Sequence, residues 1–232
     1  MDPNLIVYTV LTVVAFVLSL SVHEWAHAAT AVRLGDDTPL LEGRVTLNPV
    51  SHIDPIGSLV MPIVGSMIGG FLIGWAKPVR YRPGQFRREV GYRKGSVLVA
   101  LAGPASNVFL VIFCAVLLKV LLMAMGGVAP VQASGLVHGV AQLLAMMVLI
   151  NVILAVFNLM PVPPLDGFAL IEHASRVDSK IVKFMYDWQL VLFFAAIFLI
   201  FRVVVTPALM ATGFLMDGLG IFQEWRLLMP MR

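Results

Sequence analysis

The chain has 232 residues, of which 59% are hydrophobic and only 12% are charged, and its mean hydropathy is +0.93. Soluble domains carry roughly 45–50% apolar and about 25% charged residues, so this composition predicts an integral membrane protein. The net charge is only +3. No basic stripe with interleaved aromatic residues is present, so we predict that the chain does not bind nucleic acid. A single cysteine, Cys114, excludes an intramolecular disulfide and a C-x-x-C zinc site.

The first apolar segment, Leu5–Val22, carries no charge and is long enough to cross most of a hydrocarbon core of about 30 Å. The sequence His-Glu-Trp-Ala-His follows it directly at 23–27. Glycine commonly ends a helix, and Gly35 follows a basic residue, Arg33, that would lie in the last helical turn. We therefore predict one helix that runs from the start of the apolar segment to Leu34.

His23, Glu24 and His27 form an H-E-x-x-H pattern inside this predicted membrane helix. Residues four apart lie on one face of a helix, so both imidazoles can face one metal ion. Glu24 is displaced around the helix, which suits a general base that acts beside the metal without binding it. Ionisable groups inside a bilayer cost roughly 2.5–3.5 kcal/mol each, so a cluster of them indicates a function.

A small β-containing region is predicted after the first helix, within residues 36–55. Residues 42–47 are prone to form a strand, and two X-Pro turns follow them. An exposed strand here would let an unwound substrate pair with it by β-augmentation. His52 and Asp54 lie in the same region, either as polar turn residues at the membrane edge or as groups that support the metal site or clamp the substrate.

Residues 56–75 are apolar, but several glycines and Pro62 interrupt them. Both flanks are basic, which marks the cytoplasmic side of a membrane protein. Arg33 and Arg44 precede the segment, and the residues that follow it are Lys77, Arg80, Arg82, Arg87, Arg88, Arg93 and Lys94. We therefore predict a re-entrant segment that lines the active-site cavity. A complete crossing of the membrane is the alternative.

Two further membrane spans are predicted at 96–125 and 137–160, separated by a loop with little charge. The first contains Gly-Pro-Ala-Ser-Asn at 103–107, whose small residues suit close helix packing. Asn107 needs a hydrogen-bond partner, because an unpaired amide within a bilayer is unfavourable.

The fold class that these segments predict is an all-α polytopic membrane protein of five to six membrane segments, with the small β-containing region inserted. Residues 1–232 would form a single membrane-embedded domain, with its core in 1–172. The remaining membrane segments would lie within 185–222, and the pattern leaves open whether 208–222 crosses the membrane.

The sequence Asn-Leu-Met-Pro-Val-Pro-Pro-Leu-Asp-Gly at 158–167 ends the third predicted span. Three prolines cannot continue a helix, so the backbone must unwind here. Asp166 then becomes a lone carboxylate at depth, which a metal ion would stabilise. Two histidines, one carboxylate and an open fourth position make a catalytic zinc arrangement. Alternatively, the Asp166 side chain caps the helix that follows.

These motifs resemble those of the site-2 protease family of intramembrane zinc metalloproteases. The likeness rests on the sequences at 23–27 and 158–167, in that order on separate segments, and more weakly on 103–107. The resemblance implies one zinc ion per chain and transmembrane protein substrates. It implies a site that opens toward the cytoplasm, and it covers most of the chain. A PDZ-like or CBS-like domain, present in many relatives, is not expected here.

The residues that the resemblance assigns are zinc ligands His23, His27 and Asp166, the general base Glu24, and the substrate-binding or oxyanion residues Asn158 and Asn107. A metal-ion permease that uses the same ligands is an alternative function, and an inactive relative that acts as a binding partner is another. A permease site would use Glu24 to bind metal, whereas a protease would use it for turnover. A compact chain of this kind favours a prokaryotic cell membrane, and the pattern does not fix the oligomeric state.

Overall fold

The computed structural model describes residues 3–68, 74–175, 179–203 and 205–229, and these are almost entirely helical. The α-helices in this part of the chain are α1 (Pro3–Arg33), α2 (Thr38–Leu41), α3 (Met61–Ile68), α4 (Tyr92–Met125), α5 (Val128–Ala133), α6 (Gly135–Asn158), α7 (Phe168–Ala174), α8 (Lys180–Asp187), α9 (Gln189–Val203), α10 (Val205–Gly218) and α11 (Phe222–Leu228). Short 3-10 turns lie at Pro49–Ser51 and Pro83–Gln85, and a π-helical turn lies at Pro55–Val60.

The helices α1, α4 and α6 pack against one another and form the centre of the molecule. Small residues lie at their contacts: Ala15, Ala115 and Ala145 are fully buried, which lets helices approach closely. Larger side chains such as Phe16 and Leu118 fill the space between them. This three-helix core carries the motifs at 23–27, 103–107 and 158–167.

The outer faces of these helices are also apolar. Ile6, Val10 and Val14, four residues apart on α1, are exposed, and so are Phe109 and Phe113 on α4. The helices α1, α4 and α6 each contain an 18-residue window with a mean hydropathy between 2.5 and 2.9 and are long enough to cross a bilayer. A helix that is apolar on all sides is suited to lipid. The chain is therefore an integral membrane protein.

The predicted limits of the long helices agree with the structure to within a few residues. The helix α1 ends at Arg33, α4 ends at the predicted Met125, and α6 ends at Asn158. Gly126 follows α4 in the left-handed conformation, with φ of 77°, which glycine adopts without steric cost. Its N–H donates to the carbonyl of Met123, and the next N–H donates to that of Leu122.

The predicted β-containing region is wrong, because the described part of the chain contains no strand. Residues 42–47 follow the single turn of α2, and the first three N–H groups of this stretch donate back to that turn. The N–H of Gly43 donates to Leu40, and that of Arg44 donates to Pro39 at 2.8 Å. An isolated strand has no partner for its backbone groups. The β-prone residues here therefore form a loop, and no edge strand is available to a substrate.

Residues 74–82 have no regular secondary structure, and side chains bind their backbone groups in place of a partner strand. The guanidinium of Arg44, which is 5% exposed, donates to the carbonyls of Lys77 and Pro78 at 2.7 Å each. It also donates to the carbonyl of Ser51. Buried backbone carbonyls need donors, and one arginine supplies three of them with its several N–H groups.

The two ends of the apolar segment 56–75 lie next to each other. The N–H of Trp75 donates to the carbonyl of Gly57 at 3.1 Å, and the hydroxyl of Ser58 donates to the carbonyl of Trp75 at 2.8 Å. The chain between them includes α3, while residues 69–73 lie outside the described ranges. The two ends of the segment therefore adjoin, as a re-entrant path requires.

The C-terminal segments predicted within 185–222 lie on α9 and α10. The described parts of these helices have 15 and 14 residues and lie on either side of residue 204. The helices α10 and α11 pack on α6, and the buried indole of Trp225 donates to the carbonyl of Ala145. By length, three helices in the described ranges qualify as membrane spans, not five to six.

Candidate metal centre

His23, His27 and Asp166 meet inside the three-helix core. The Nε2 atoms of the two histidines are 3.0 Å apart. The Oδ2 atom of Asp166 lies 3.2 Å from Nε2 of His23, and its Oδ1 atom lies 3.4 Å from Nε2 of His27. One ligand atom from each residue falls within 4.8 Å of the others. Both histidines are buried, so the sequence pattern has brought its three predicted ligands together.

Asp166 reaches the histidines because the backbone unwinds after α6. Residues 159–167 form consecutive turns, in which the N–H of Gly167 donates to the carbonyl of Asn158 at 2.7 Å. The next helix, α7, begins without a hydrogen bond from a capping side chain. The Asp166 carboxylate is therefore not used as a cap, and its oxygens face the imidazoles.

Hydrogen bonds at the other ring nitrogen determine which nitrogen of each histidine can bind a metal. The Nδ1 atom of His27 lies 2.7 Å from the carbonyl oxygen of Val99. A carbonyl only accepts, so this Nδ1 carries the ring proton. The Nδ1 atom of His23 lies 2.6 Å from Oδ1 of Asn107. Its protonation follows from the orientation of that amide.

A chain of buried polar groups fixes the orientation of Asn107. The Nδ2 atom of Asn151 donates to the carbonyl of Met147 at 2.8 Å and to Oγ of Ser19 at 2.7 Å. Only the NH₂ of an amide can donate to a carbonyl, so Oδ1 of Asn151 faces Asn107 and accepts from its Nδ2 at 2.7 Å. Asn107 therefore turns its oxygen to His23, whose Nδ1 must carry the proton.

The contacts at this centre fit a zinc ion. Both Nε2 atoms present a lone pair, and Oδ2 of Asp166 is buried without a hydrogen-bond partner in the described part of the chain. Three acceptors that face one another repel unless a cation lies among them. Two imidazole nitrogens and one carboxylate are the donor set of catalytic zinc sites, which leave the fourth position to water or substrate. His23, His27 and Asp166 are therefore the candidate ligands.

Glu24 lies outside this group of ligands. Its Oε2 atom accepts a hydrogen bond from the N–H of Val79 at 3.0 Å. Val79 directly follows the two residues whose carbonyls Arg44 holds, so the buried arginine fixes the backbone that orients the carboxylate. Within the described ranges Oε1 has no hydrogen-bond partner. One oxygen is thus anchored, and the other remains able to take up a proton.

Comparison with known proteins identifies the family of this chain. Peptidase family M50 matches residues 88–201, a range that contains Asp166 but not the H-E-x-x-H pattern. The "Putative zinc metalloprotease YwhC" of Bacillus subtilis is 38% identical over 160 residues, which are 69% of this chain and 67% of that protein. This chain belongs to peptidase family M50.

Two mycobacterial relatives align with a larger share of the chain. The "Putative zinc metalloprotease Rip2" of Mycolicibacterium smegmatis is 31% identical over 86% of this chain and 68% of its own length. The protein of the same name from Mycobacterium tuberculosis is 32% identical over 80% of this chain and 67% of its own length. No solved structure matches the chain. M50 is the site-2 protease family that the motifs resemble, and membership makes the protein a metalloprotease.

His52 and Asp54 do not contact the metal ligands. The Oδ1 atom of Asp54 accepts from the N–H groups of Ile56 and Gly57 at 3.1 and 2.8 Å and thereby caps the π-helical turn. His52 is buried, and its Nε2 donates to the carbonyl of Thr46 at 2.8 Å. Their contacts fit the interpretation of both as polar residues of the turn, and neither residue supports the metal site directly.

The two asparagines that the family resemblance assigns to the substrate occupy different environments. Asn107 is fully buried, and both polar atoms of its amide bind other side chains. It lies behind His23, on the side away from Asp166, so it orients a ligand instead of contacting a substrate. Asn158 is half-buried at the end of α6, and its Nδ2 donates to the carbonyl of Leu154 at 3.0 Å.

Three residues with clear roles at the centre were missed by the sequence pattern. Ser19 and Asn151 complete the chain that fixes the proton on His23, and Arg44 holds the backbone that binds Glu24. A polar side chain inside an apolar span is itself a signal, because it needs a partner there. Asn151 is such a residue, because it lies within the predicted span 137–160, seven residues before Asn158.

Gly103 provides the space in α4 against which both imidazoles pack. A Cβ atom at this position would lie 2.5 Å from Cε1 of His23 and would also meet the ring of His27. The rings cannot withdraw freely, because each is anchored through Nδ1. We therefore expect Gly103→Ala to lower zinc affinity by more than about 10-fold, the lower end of the effect of disturbing groups that orient ligands.

Zinc retained per chain against a competing chelator measures this prediction. Gly139→Ala on α6 is the matched control, since a Cβ there meets nothing within 4 Å. Helix content by circular dichroism should be the same in both variants. Equal zinc retention in the two variants would show that the imidazoles tolerate the added methyl group and would contradict the prediction.

Proposed function

We propose that this protein is an intramembrane zinc endopeptidase, which hydrolyses peptide bonds within or next to the transmembrane segments of membrane-protein substrates. The observation that supports this is the position of His23, His27 and Asp166. They are candidate ligands of one zinc ion per chain, and they lie inside a bundle of three helices that are apolar on their outer faces. A substrate reaches such a site from the bilayer.

The metal and Glu24 have separate roles in the proposed hydrolysis. A bound zinc ion supplies Lewis acidity, which polarises the scissile carbonyl and makes water more acidic. The Oε1 atom of Glu24, which has no hydrogen-bond partner among the described residues, takes the proton from the attacking water and delivers it to the nitrogen of the leaving amine. The anchored Oε2 keeps the carboxylate in place during both transfers.

Asn158 is the proposed contact with the substrate backbone. Its amide NH₂ uses one hydrogen for the carbonyl of Leu154, and the second is available to the substrate carbonyl as negative charge develops on it. The surrounding turns at 159–167 already lack helical hydrogen bonds. The substrate helix must also unwind, because its carbonyls are otherwise bonded internally.

The position of Glu24 favours a protease over a metal permease. A permease would use every anionic group at the site to bind the ion, whereas Glu24 lies outside the ligand group and is held by a backbone N–H. The basic residues around 77–94 support an opening on the cytoplasmic side, and the bacterial relatives support a prokaryotic cell membrane. The proposed partners are membrane-protein substrates and the lipid bilayer, with no role for nucleic acid.

Cleavage of a panel of single-span proteins by the full chain in proteoliposomes tests the proposal. We expect cuts within or next to the span, located by mass spectrometry, which a zinc chelator abolishes and added zinc restores. An unfolded soluble protein is the control and should remain intact. Cleavage that persists after chelation, or preferential cutting of the soluble control, would overturn the proposed function.

A further inference from the structure

A cleft of about 640 Å³ opens where four parts of the chain meet: residues 81–83, the start of α4, α7 and α8. Its chemistry is unlike that of the apolar bundle. Three tyrosines and one carboxylate lie among its lining residues, which include Tyr81, Tyr92, Ser96, Ala169, Glu172 and Tyr186. None of these residues takes part in the candidate metal centre or in the chemistry proposed above.

The cleft adjoins the metal centre on three separate elements. Ser96 lies one helical turn before Val99, whose carbonyl holds His27. Ala169 follows Asp166 by three residues, and its N–H donates to the carbonyl of Asp166 at 3.1 Å. Tyr81 follows Val79, the partner of Glu24, by two residues. If the scissile bond of a peptide lies at the metal centre, the residues that flank this bond would therefore lie in the cleft.

The carboxylate of Glu172 lies next to the tyrosines of the cleft, which Arg93 and His173 also line. The hydroxyl of Tyr186 donates to Oε1 of Glu172 at 2.5 Å, and its ring packs edge-to-face on Phe168 at 5.1 Å. Burial and then the charges of Asp166 and Glu172 raise the pKa of Tyr81 to about 12. Burial, followed by the bond to Glu172, raises the pKa of Tyr186. The hydroxyls of Tyr81 and Tyr186 therefore stay neutral near pH 7, and both residues line the cleft together with Glu172.

We propose that this cleft is a substrate subsite that binds a Lys or Arg side chain adjacent to the transmembrane segment of the substrate. This inference rests on the proposed function. A carboxylate and nearby tyrosine rings attract a cation together. Membrane proteins carry Lys and Arg on the cytoplasmic flanks of their spans, the side to which the charges of this chain assign the cleft. Arg93 also lines the cleft, but among the described residues it forms no ion pair with Glu172.

Binding of labelled single-span peptides to the Glu24→Gln full chain in nanodiscs tests the subsite without turnover. Two peptides differ only in one flanking residue, Arg or Gln. We expect the Arg peptide to bind about 5-fold more tightly, as one cation–π and charge contact at a partly exposed site provides. Adding Glu172→Gln, which keeps the shape and the acceptor for Tyr186, should reduce that preference below about 2-fold.

Two controls make the result decisive. Glu89→Gln removes an equal charge from an exposed position outside the cleft and should leave the 5-fold preference unchanged. Glu172→Lys should reverse it, so that a peptide with Glu at the flank binds better than the Arg peptide. A preference that survives Glu172→Gln, or that Glu89→Gln removes equally, would overturn the subsite. Failure of the proposed function would appear separately, as absence of zinc-dependent cleavage by the unaltered chain.

Discussion

Asp166→Ala is expected to lose zinc under conditions in which the unaltered protein keeps it. The carboxylate is the one anion in the group of ligands, and without it two neutral imidazoles remain. Loss of groups that merely orient ligands costs roughly 10–100-fold in metal affinity. Removal of a ligand itself should therefore cost more than about 100-fold. Zinc per chain in detergent, measured after dialysis against a weak chelator, reports this directly.

The matched control for this variant is Asp217→Ala, which removes a carboxylate from an exposed position on α10. It should retain as much zinc as the unaltered protein. Circular dichroism should show the same helix content in both variants, because Asp166 does not cap α7. If Asp166→Ala kept its zinc while folded, the third ligand would have to be another group, and the assignment of this centre would be wrong.

The metal ligands were predictable because their placement follows from local rules. Helical periodicity alone puts His23 and His27 on one face, and the prolines that unwind 158–167 are explicit in the sequence. A lone carboxylate in an unwound membrane segment needs a cation, so Asp166 could be matched to the histidines without knowing the packing. The long helices were predictable for a similar reason, since hydropathy depends on composition and not on neighbours.

The loop after α1 was not predictable from such rules. Val45 and Thr46 favour a strand locally, but a strand also needs a partner, which no local pattern supplies. The irregular backbone at 74–82 is held by Arg44 from more than thirty positions away in the sequence. A buried arginine that binds carbonyls is indistinguishable in sequence from one that marks the cytoplasmic side.

The role of Asn107 was missed for a related reason. Its need for a partner was evident, but the sequence does not say whether that partner is a substrate or another side chain. The structure supplies Asn151 and His23 as partners on two other helices. The assembled chain shows that helix packing and ligand orientation depend on one another here, because the same amides that join α1, α4 and α6 also fix the proton on His23.

Glu24→Gln is expected to keep the metal and lose turnover. Glutamine has the same shape, and its side-chain oxygen can still accept the hydrogen bond from the N–H of Val79. It cannot take a proton from water near neutral pH. General acid–base catalysis contributes typically about 10²–10⁴-fold, so cleavage of a single-span substrate should slow by that factor. Single-turnover cleavage in proteoliposomes and zinc per chain, measured on one preparation, separate the two effects.

Glu89→Gln, an exposed change of the same kind, should match the unaltered protein in both measurements. The outcome for Glu24→Gln distinguishes the two functions that share this donor set. Zinc retained without turnover identifies Glu24 as the group that moves protons, since its anchored carboxylate does not hold the ion. Zinc lost together with turnover would instead make Glu24 a ligand, which is what a permease site requires. Turnover within a few-fold of the unaltered rate would remove Glu24 from the mechanism.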